Sequence, residues 1–371
     1  LIFRAGSVLE TKENRGAGHF LEHMAFGGTR HFPGHKLIDY LESRGVQYGM
    51  GINAYTGYDR TVYQLAIPSD KSKDIDNALL IIKDWLADIH LDKDKVEREK
   101  GIIIEELRGY DVGDEFYDLK IGSGLFGQGI PLGTEEDIRK MTPETLKAFH
   151  DKWYTLSQAT VVLVGDFDVN DARERIKKTF GSLKSTTSPD YREYPHTYDP
   201  GINFAQVGDT LLRKASLEIM IPHECTSRRT VGDAVDCERK DMLISALTER
   251  FSDTGKDVSF SNTWYLADKD HFTISINGTT KEDVSLKIIE AVAELRRVAS
   301  EGFTAEEMDI VRSKCLSRFQ IPHTRSNSSY ICESIASDVM FGDRDITDPK
   351  QFEWAKEELA STLSEDLQKI L

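Results

Sequence analysis

The spacing of apolar residues in the first half of the chain predicts short strands alternating with helices. Amphipathic helices are predicted over 36–45 and 75–87, where apolar residues return every three or four positions. Between them, alternating apolar and polar residues predict strands around 47–54 and 61–68, with 56–59 as the turn. This mixture of elements is typical of an α+β domain.

The same pattern continues after residue 140. Thr142 and Pro143 begin a predicted helix, since threonine is a favourable cap and proline is favourable at the first helical position. A buried strand is predicted over 159–165 and a helix over 169–180. The stretch 186–200 has neither a helical nor a strand period, so we interpret it as an interdomain linker.

Two histidines and a glutamate stand close together on one predicted helix. His19 and His23 are four residues apart, so both rings leave the same face of the helix. Two neutral imidazoles on one face can bind zinc, and Glu22 is placed to take a proton from a metal-bound water. The order H-x-x-E-H is the inverzincin signature. The alternative is an amphipathic helix whose histidines fall four apart by chance.

A catalytic zinc site needs a third protein ligand and an open position for water. An acidic helix predicted over 94–107 offers Glu97, Glu99, Glu105 and Glu106. Glu99 and Glu106 are two turns apart on one face, where apolar neighbours would press an acid against the histidines. A solvated charged face accounts for Glu97 and Glu105, and the choice for Glu99 stays open at this point.

In these motifs the chain resembles the pitrilysin/insulinase family of zinc metallopeptidases. The matching segments follow the order of the family pattern and cover most of residues 1–185. These segments are 4–10, 18–26, 53–56, 61–63, 96–107, 132–134 and 161–166.

The resemblance implies a set of site residues. In the family, two histidines and the glutamate that closes the acidic helix hold the metal, which assigns Zn²⁺ to His19, His23 and Glu106. Glu22 is then the catalytic base, and Glu99 is a catalytic glutamate that supports the site. Ligation by Glu99 is the minor alternative, because the segment between His23 and Glu106 is longer than in many family members.

The resemblance also implies how substrate binds. In the family, the edge strand that here holds Asn53, Ala54 and Tyr55 accepts an extended peptide as an added antiparallel strand. The predicted contact is made by the backbone rather than by the side chains. The alternative is that these three residues are ordinary hairpin residues.

The second half repeats part of the order of the first. Strands around 259–265 and 272–276 precede a long helix over 281–297 and a helix with an acidic start over 303–319. No second H-x-x-E-H occurs over 231–250, where its copy is expected. We therefore predict a zinc-binding domain over 1–185 and a metal-free domain of like fold over 201–371, each an antiparallel-rich sheet with helices packed on it.

Composition narrows the possible partners. The chain has 63 acidic and 47 basic residues and a formal net charge of −16, which argues against nucleic acid or an anionic membrane as partner. No apolar run is long enough to span a membrane. The four cysteines lack C-x-x-C spacing and are predicted to be free, buried thiols.

The compartment is not indicated by the sequence. Leu1 begins what looks like the middle of a strand, so the native N-terminus is expected outside the numbered chain. A soluble periplasmic or cytoplasmic protein fits these residues equally.

Together these features predict a zinc-dependent endopeptidase that cleaves unfolded peptides. The resemblance implies four such domains in an active molecule, closing like a clamshell, so a second peptidase half is expected from the same polypeptide or from a partner subunit. Two alternatives remain. The chain is a non-catalytic assembly subunit, or it is a half-enzyme that is silent without its C-terminal half.

Overall fold

The structure of the chain is a computed structural model. The described residues are 1–47, 49, 51–68, 70–109, 119, 121–122, 124–128, 130–184, 197–206, 208, 214–225, 228–252, 257–266, 269–319, 328–342, 346 and 348–371.

The chain divides into two compact units, Leu1–Asn203 and Phe204–Leu371. Most of the predicted linker, residues 186–196, lies outside the described residues, so the predicted domain limits of 1–185 and 201–371 stay predictions. Each unit combines helices with an antiparallel sheet, as predicted.

The first unit contains four short strands and a series of helices. Its strands are β1 (Ile2–Phe3), β2 (Ile52–Thr56), β3 (Thr61–Leu65) and β4 (Ala159–Thr160). Its helices are α1 (Ala17–Gly27), α2 (Lys36–Ser43), α3 (Ser72–Ala87), α4 (Lys93–Gly109), α5 (Glu135–Lys140), α6 (Pro143–Trp153) and α7 (Val169–Phe180). The helices predicted from apolar spacing are thereby confirmed.

The four strands form one sheet in the order β2-β3-β1-β4, and the neighbouring strands run antiparallel. β2 and β3 make a hairpin whose register runs from Ile52 opposite Leu65 to Thr56 opposite Thr61. In the part of the chain that is described, β2 is therefore an outer strand of the sheet. α1 packs against this hairpin and also against α4 and α6.

An aromatic cluster joins the sheet to the helices. The ring of Phe3 lies 4.3 Å from that of Tyr154 and 6.2 Å from that of Tyr63. Tyr63 stacks on Trp85 of α3 at 5.3 Å, and the Trp85 indole donates a hydrogen bond to the Ala25 carbonyl at 3.1 Å. Because Ala25 belongs to α1, the core that holds the sheet also fixes the histidine-bearing helix.

The predicted bounds of three strands in the first unit were wrong. The strand predicted over 61–68 ends at Leu65. The strand predicted over 47–54 begins only at Ile52, because hydrogen bonds from Gly49 to Ile52 and from Gly51 to Gln47 close turns before it. It then continues through Thr56, which the sequence placed in the turn.

Within the described residues, the strand predicted over 159–165 is paired at Ala159 and Thr160, opposite Phe3 and Ile2 of β1. The next residue, Val161, is 37% exposed rather than buried.

The second unit has its own sheet and core. Its strands are β5 (Ala215–Glu224), β6 (Val258–Leu266) and β7 (Lys269–Gly278), in the antiparallel order β5-β7-β6. Its helices are α8 (Val231–Ser252), α9 (Lys281–Glu301), α10 (Ala305–Arg318), α11 (Ser328–Phe341), α12 (Pro349–Ala360) and α13 (Ser364–Gln368). The order β6, β7, α9, α10 matches β2, β3, α3, α4, which confirms the predicted repeat of strand, strand, helix, helix.

Two further expectations concern membrane spans and thiols. Among the described residues, no helix has both the length and the apolar character needed to cross a membrane. None of the four cysteines forms a disulfide, as predicted, but only Cys315 is buried, while Cys225, Cys237 and Cys332 are half-buried.

The aromatic cluster predicts a large and local effect of Trp85→Ala. Trp85 is 0% exposed, so the truncation removes core packing and leaves the Ala25 carbonyl without its donor. We expect the free energy of unfolding of the first unit to fall by about 3–5 kcal/mol in denaturant titrations. Trp354, which is 46% exposed in the second unit, is the matched control, and Trp354→Ala is expected to cost less than about 1 kcal/mol. Equal losses from the two variants would contradict this account of the core.

Candidate metal centre

The site is built on α1, whose buried face is apolar. Phe20, Leu21, Met24 and Ala25 are all buried, so hydrophobic contacts fix the rotation of this helix. Gly16 precedes the helix with a φ of 82°, a left-handed conformation that glycine adopts without strain. A side chain there would also collide with the backbone of the segment that precedes α5.

Glu10 holds the start of α1. Its two carboxylate oxygens accept hydrogen bonds from the backbone N–H groups of Gly16, at 2.7 Å, and Gly18, at 2.9 Å. These donors are among the N–H groups that a helix start leaves unpaired. Burial raises the pKa of Glu10 to about 8, although the two N–H groups act in the opposite direction.

The two histidines and Glu106 converge on one point. The ring centroids of His19 and His23 are 4.7 Å apart on one face of α1. Glu106 of α4 faces both rings, with Oε1 3.7 Å from Nε2 of His19 and Oε2 3.1 Å from Nε2 of His23. Interactions with His19 and His23 lower the pKa of Glu106 against the opposing effect of burial.

Helix α4 brings Glu106 to this position through its apolar side. Val96, Ile103, Ile104 and Leu107 are buried, so the opposite helix face is left for charged residues. On that opposite face, Glu105 pairs with Arg108 and is exposed.

Glu99 lies on the other side of the His23 ring. Its Oε1 is 2.9 Å from Nδ1 of His23, so this ring is held between Glu99 and Glu106. A hydrogen bond to one ring nitrogen fixes the tautomer and leaves the other nitrogen available to a metal. Burial lowers the pKa of His23, but the hydrogen bond and charge of Glu99, together with the charges of Glu22 and Glu106, outweigh it, and the pKa is raised.

The donor set fits zinc. One donor atom each from His19, His23 and Glu106 can be chosen so that all three lie within 4.8 Å of one another. Two imidazoles and one carboxylate are a common protein set for catalytic Zn²⁺, with the fourth position left for water. Glu99 does not join this group. Its contact with Nδ1 is that of a residue that orients a ligand.

Glu22 lies beside the donors without joining them. Its side chain is buried, with the residue 8% exposed, and its Oε2 accepts a hydrogen bond of 2.7 Å from the Thr56 hydroxyl. Burial raises the pKa of Glu22, and the charge of His19 and the Thr56 hydroxyl act against that rise. A carboxylate in such a place can accept a proton near neutral pH.

The predicted peptide-binding residues lie on β2. Asn53, Ala54 and Tyr55 pair with β3 on one side, and the Tyr55 side chain is 42% exposed. β2 is an outer strand of the described sheet, so a further strand would pair along the edge that faces away from β3. β2 also contacts α1.

His31 and His35 do not form a second pair of ligands in the structure. His31 Nδ1 lies 2.7 Å from buried Asp84, and His35 precedes α2. Pro33 lies between them, and a proline is unfavourable inside a helix, so no shared helix face aligns the two rings.

Sequence reasoning missed two residues that touch the site, Thr56 and Glu10. Thr56 was assigned to a turn, and only the true end of β2 brings its hydroxyl to Glu22. Glu10 precedes α1 by several residues and caps it from a separate segment, so no local capping pattern marks it. The one available signal for Glu10 was its place at the end of the first matching segment, residues 4–10.

Comparison with known proteins agrees with this geometry. Residues 1–115 match the family described as "Insulinase (Peptidase family M16)", and residues 140–222 match "Peptidase M16 inactive domain". The chain belongs to the insulinase (M16) family of peptidases.

Named relatives include zinc proteases. The chain is 27% identical over 351 residues to "Zinc protease PQQL-like" of Arabidopsis thaliana and 26% identical over 325 residues to "Probable zinc protease PqqL" of Escherichia coli. These matches cover 92% and 84% of the chain, but only 35% of each relative, so the chain spans about a third of their length.

Two other similarities are to a solved protease structure and to a subunit of a respiratory complex. The crystal structure of the periplasmic protease PqqL from Escherichia coli superimposes with a TM-score of 0.89 at 22% identity, covering 100% of this chain and 42% of that one. Half of the chain is also 28% identical to "Cytochrome b-c1 complex subunit 1, mitochondrial" of Bos taurus, over 38% of that protein. Family membership therefore leaves open whether a given chain is an active peptidase.

The geometry predicts a ranking of zinc affinities. His19→Ala, His23→Ala and Glu106→Gln should each empty the site, whereas Glu99→Gln should weaken zinc binding only about 10- to 100-fold, because it removes an orienting bond. The measurement is zinc content after dialysis, with affinity determined by competition with a chelator. Glu105→Gln is the matched control and should bind zinc normally. Stronger loss from Glu99→Gln than from Glu106→Gln would reverse their assigned roles.

Proposed function

We propose that this chain carries the catalytic zinc site of a peptidase and hydrolyses peptide bonds of extended, unfolded peptides. The observation that carries the proposal is the convergence of His19, His23 and Glu106 beside the buried carboxylate of Glu22. A structural zinc site would close the fourth position with another ligand, and within the described residues the candidate group has three members.

The proposed ligands are His19, His23 and Glu106. When bound, Zn²⁺ would supply a Lewis acid that polarises the peptide carbonyl and lowers the pKa of a coordinated water to about 7. Glu99 would keep Nε2 of His23 available for the ion by holding Nδ1 at 2.9 Å.

Glu22 is the proposed general base. Glu22 lies on α1 between His19 and His23. Burial raises its pKa toward the range in which a base works well at neutral pH. It would accept the proton of the attacking water and then deliver that proton to the leaving amine. General base catalysis of this kind contributes about 10²- to 10⁴-fold to rate.

The proposed substrate site is the outer edge of β2. An extended peptide paired there would use backbone hydrogen bonds along Asn53, Ala54 and Tyr55, which favours unfolded substrates of varied sequence. Folded proteins would be poor substrates because their backbone groups are already paired.

A second peptidase half is the proposed partner. The zinc protease relatives are about three times as long as the matched region, since this chain covers 35% of each. A facing half would exclude water and orient the peptide, contributions that are worth several kcal/mol of barrier in enzymes generally. We therefore expect the chain alone to turn over peptides slowly, and more rapidly with the remaining half supplied.

An assembly subunit without activity is the second candidate. The similarity to a subunit of the cytochrome b-c1 complex favours it. The donor set argues against it here, because the ligand and base positions of the family pattern are all filled by His19, His23, Glu106 and Glu22.

The decisive experiment is the Glu22→Gln substitution. The variant should keep its zinc, because Glu22 is not a ligand, but lose at least about 100-fold in turnover of an unstructured fluorogenic peptide. Zinc content and turnover are measured on the same preparations, with the second half both absent and present.

Glu42→Gln serves as control, since Glu42 lies in α2 outside the donor group, and it should retain both zinc and activity. A zinc-loaded wild type that cleaves no peptide in the presence of its second half would support the assembly subunit instead. Normal turnover by Glu22→Gln would refute Glu22 as the base.

A further inference from the structure

One hydrogen bond connects the outer strand of the sheet to the proposed base. The Thr56 hydroxyl donates to Oε2 of Glu22 at 2.7 Å. Thr56 is the last residue of β2. The distance is within the range expected of a hydroxyl bonded to a carboxylate. The proposed docking strand and the proposed base are therefore in direct contact.

The position of Thr56 is fixed by the backbone on both sides. It pairs with Thr61 as the last pair of the β2-β3 register, and the next residue, Gly57, closes the turn by donating to Arg60 O at 2.8 Å. The Gly57 carbonyl in turn accepts a hydrogen bond of 3.2 Å from Ser7. The Thr56 Cα thus has little freedom to move relative to the sheet.

The methyl group of Thr56 rests on α1. A Cβ built on Gly18 would lie 3.3 Å from Thr56 Cγ2, closer than ordinary van der Waals contact, so the absence of a side chain at Gly18 allows this approach. Gly18 and Glu22 are four residues apart and lie on the same helix face. The methyl group of Thr56 therefore lies over Gly18, and its hydroxyl bonds to Glu22.

This contact decides which part of the carboxylate is free. A carboxylate has two oxygens, and the hydroxyl of Thr56 takes Oε2. The bond restricts the rotation of the carboxylate. Among the described residues no hydrogen bond is made to Oε1, which leaves that oxygen for a proton. A base that is held in place loses less freedom when it reacts.

We infer that Thr56 is a positioning residue for Glu22, which ties the strand that binds the peptide to the group that moves the proton. The inference rests on the proposed peptidase function. Peptide pairing along β2 would end at the residue that orients the base, so the docking edge and the base share one rigid frame.

The test compares two substitutions of Thr56. Thr56→Val keeps the shape and removes the hydroxyl, so kcat should fall about 10- to 100-fold, while KM changes less than about 2-fold and zinc content stays full. Thr56→Ser restores the hydroxyl and should recover kcat to within about 3-fold of wild type. A residue that only packed would give the opposite order, because serine lacks the methyl group.

Thr61→Val is the matched control. Thr61 is the cross-strand partner of Thr56, and its buried hydroxyl donates to Ala5 O at 2.9 Å rather than to Glu22. This variant should lower the unfolding midpoint and leave kcat per folded molecule unchanged. If Thr56→Val has wild-type kcat, or if Thr56→Ser is as slow as Thr56→Val, the positioning role is refuted.

A measurement independent of activity separates this inference from the proposed function. Crystal structures of zinc-loaded wild type and Thr56→Val should show the Glu22 carboxylate bonded to Thr56 in the first and displaced in the second. An unchanged carboxylate would overturn the inference even if the enzyme is active. Displacement in a protein without peptidase activity would support the positioning of Glu22 and refute the peptidase.

Discussion

The packing of α1 against α4 is the constraint on which the site depends. Polar groups that lose contact with water must find partners, and here two imidazoles on one helix find a carboxylate on the other, with Glu106 within 3.7 Å of His19 Nε2 and 3.1 Å of His23 Nε2. The apolar sides of both helices fix their rotation, and a small slip of α4 would replace Glu106 by a neighbouring residue. The aromatic cluster behind α1 matters to function for this reason: Trp85 holds the backbone of Ala25 through a hydrogen bond of 3.1 Å.

The contacts around the donors form a second layer. Glu99 holds one ring, Thr56 holds the proposed base and Glu10 holds the start of α1. These three residues come from a helix, a strand and an irregular segment, so the site draws on distant parts of the first unit. Thr56 belongs to the outer strand β2 and bonds to Glu22, which lies beside the metal donors. The strand edge and the donors are thereby connected.

The elements that carry the site were largely predictable, whereas its supporting contacts were not. His19, Glu22 and His23 could be identified from the sequence because helical spacing involves only a few neighbouring residues. The spacing along α4 places Glu99 and Glu106 on one side of that helix. Helical spacing alone does not divide their roles. The resemblance assigned the ligand role to Glu106 and the supporting role to Glu99, and in the structure Glu106 lies at Nε2 of His23 and Glu99 at Nδ1. Thr56 was missed because turns near Gly49 shift β2 toward the C-terminal side, and hydrogen bonds rather than apolar periodicity set that boundary. In the second unit, laying the start of α10 at Ala305 on the start of α4 at Lys93 places Val311 and Arg318 at the positions of Glu99 and Glu106. Val311 is fully buried in an apolar core.

The most direct test of the account is X-ray absorption spectroscopy at the zinc edge of the zinc-loaded chain. The account predicts two imidazole nitrogens at about 2.0–2.1 Å and oxygen ligands at about 2.0–2.2 Å, with no sulfur. All four cysteines lie in the second unit, whereas the three proposed ligands lie in the first. Sulfur scattering at about 2.3 Å, or a shell without imidazole, would place the ion elsewhere and contradict the central claim that His19, His23 and Glu106 bind it.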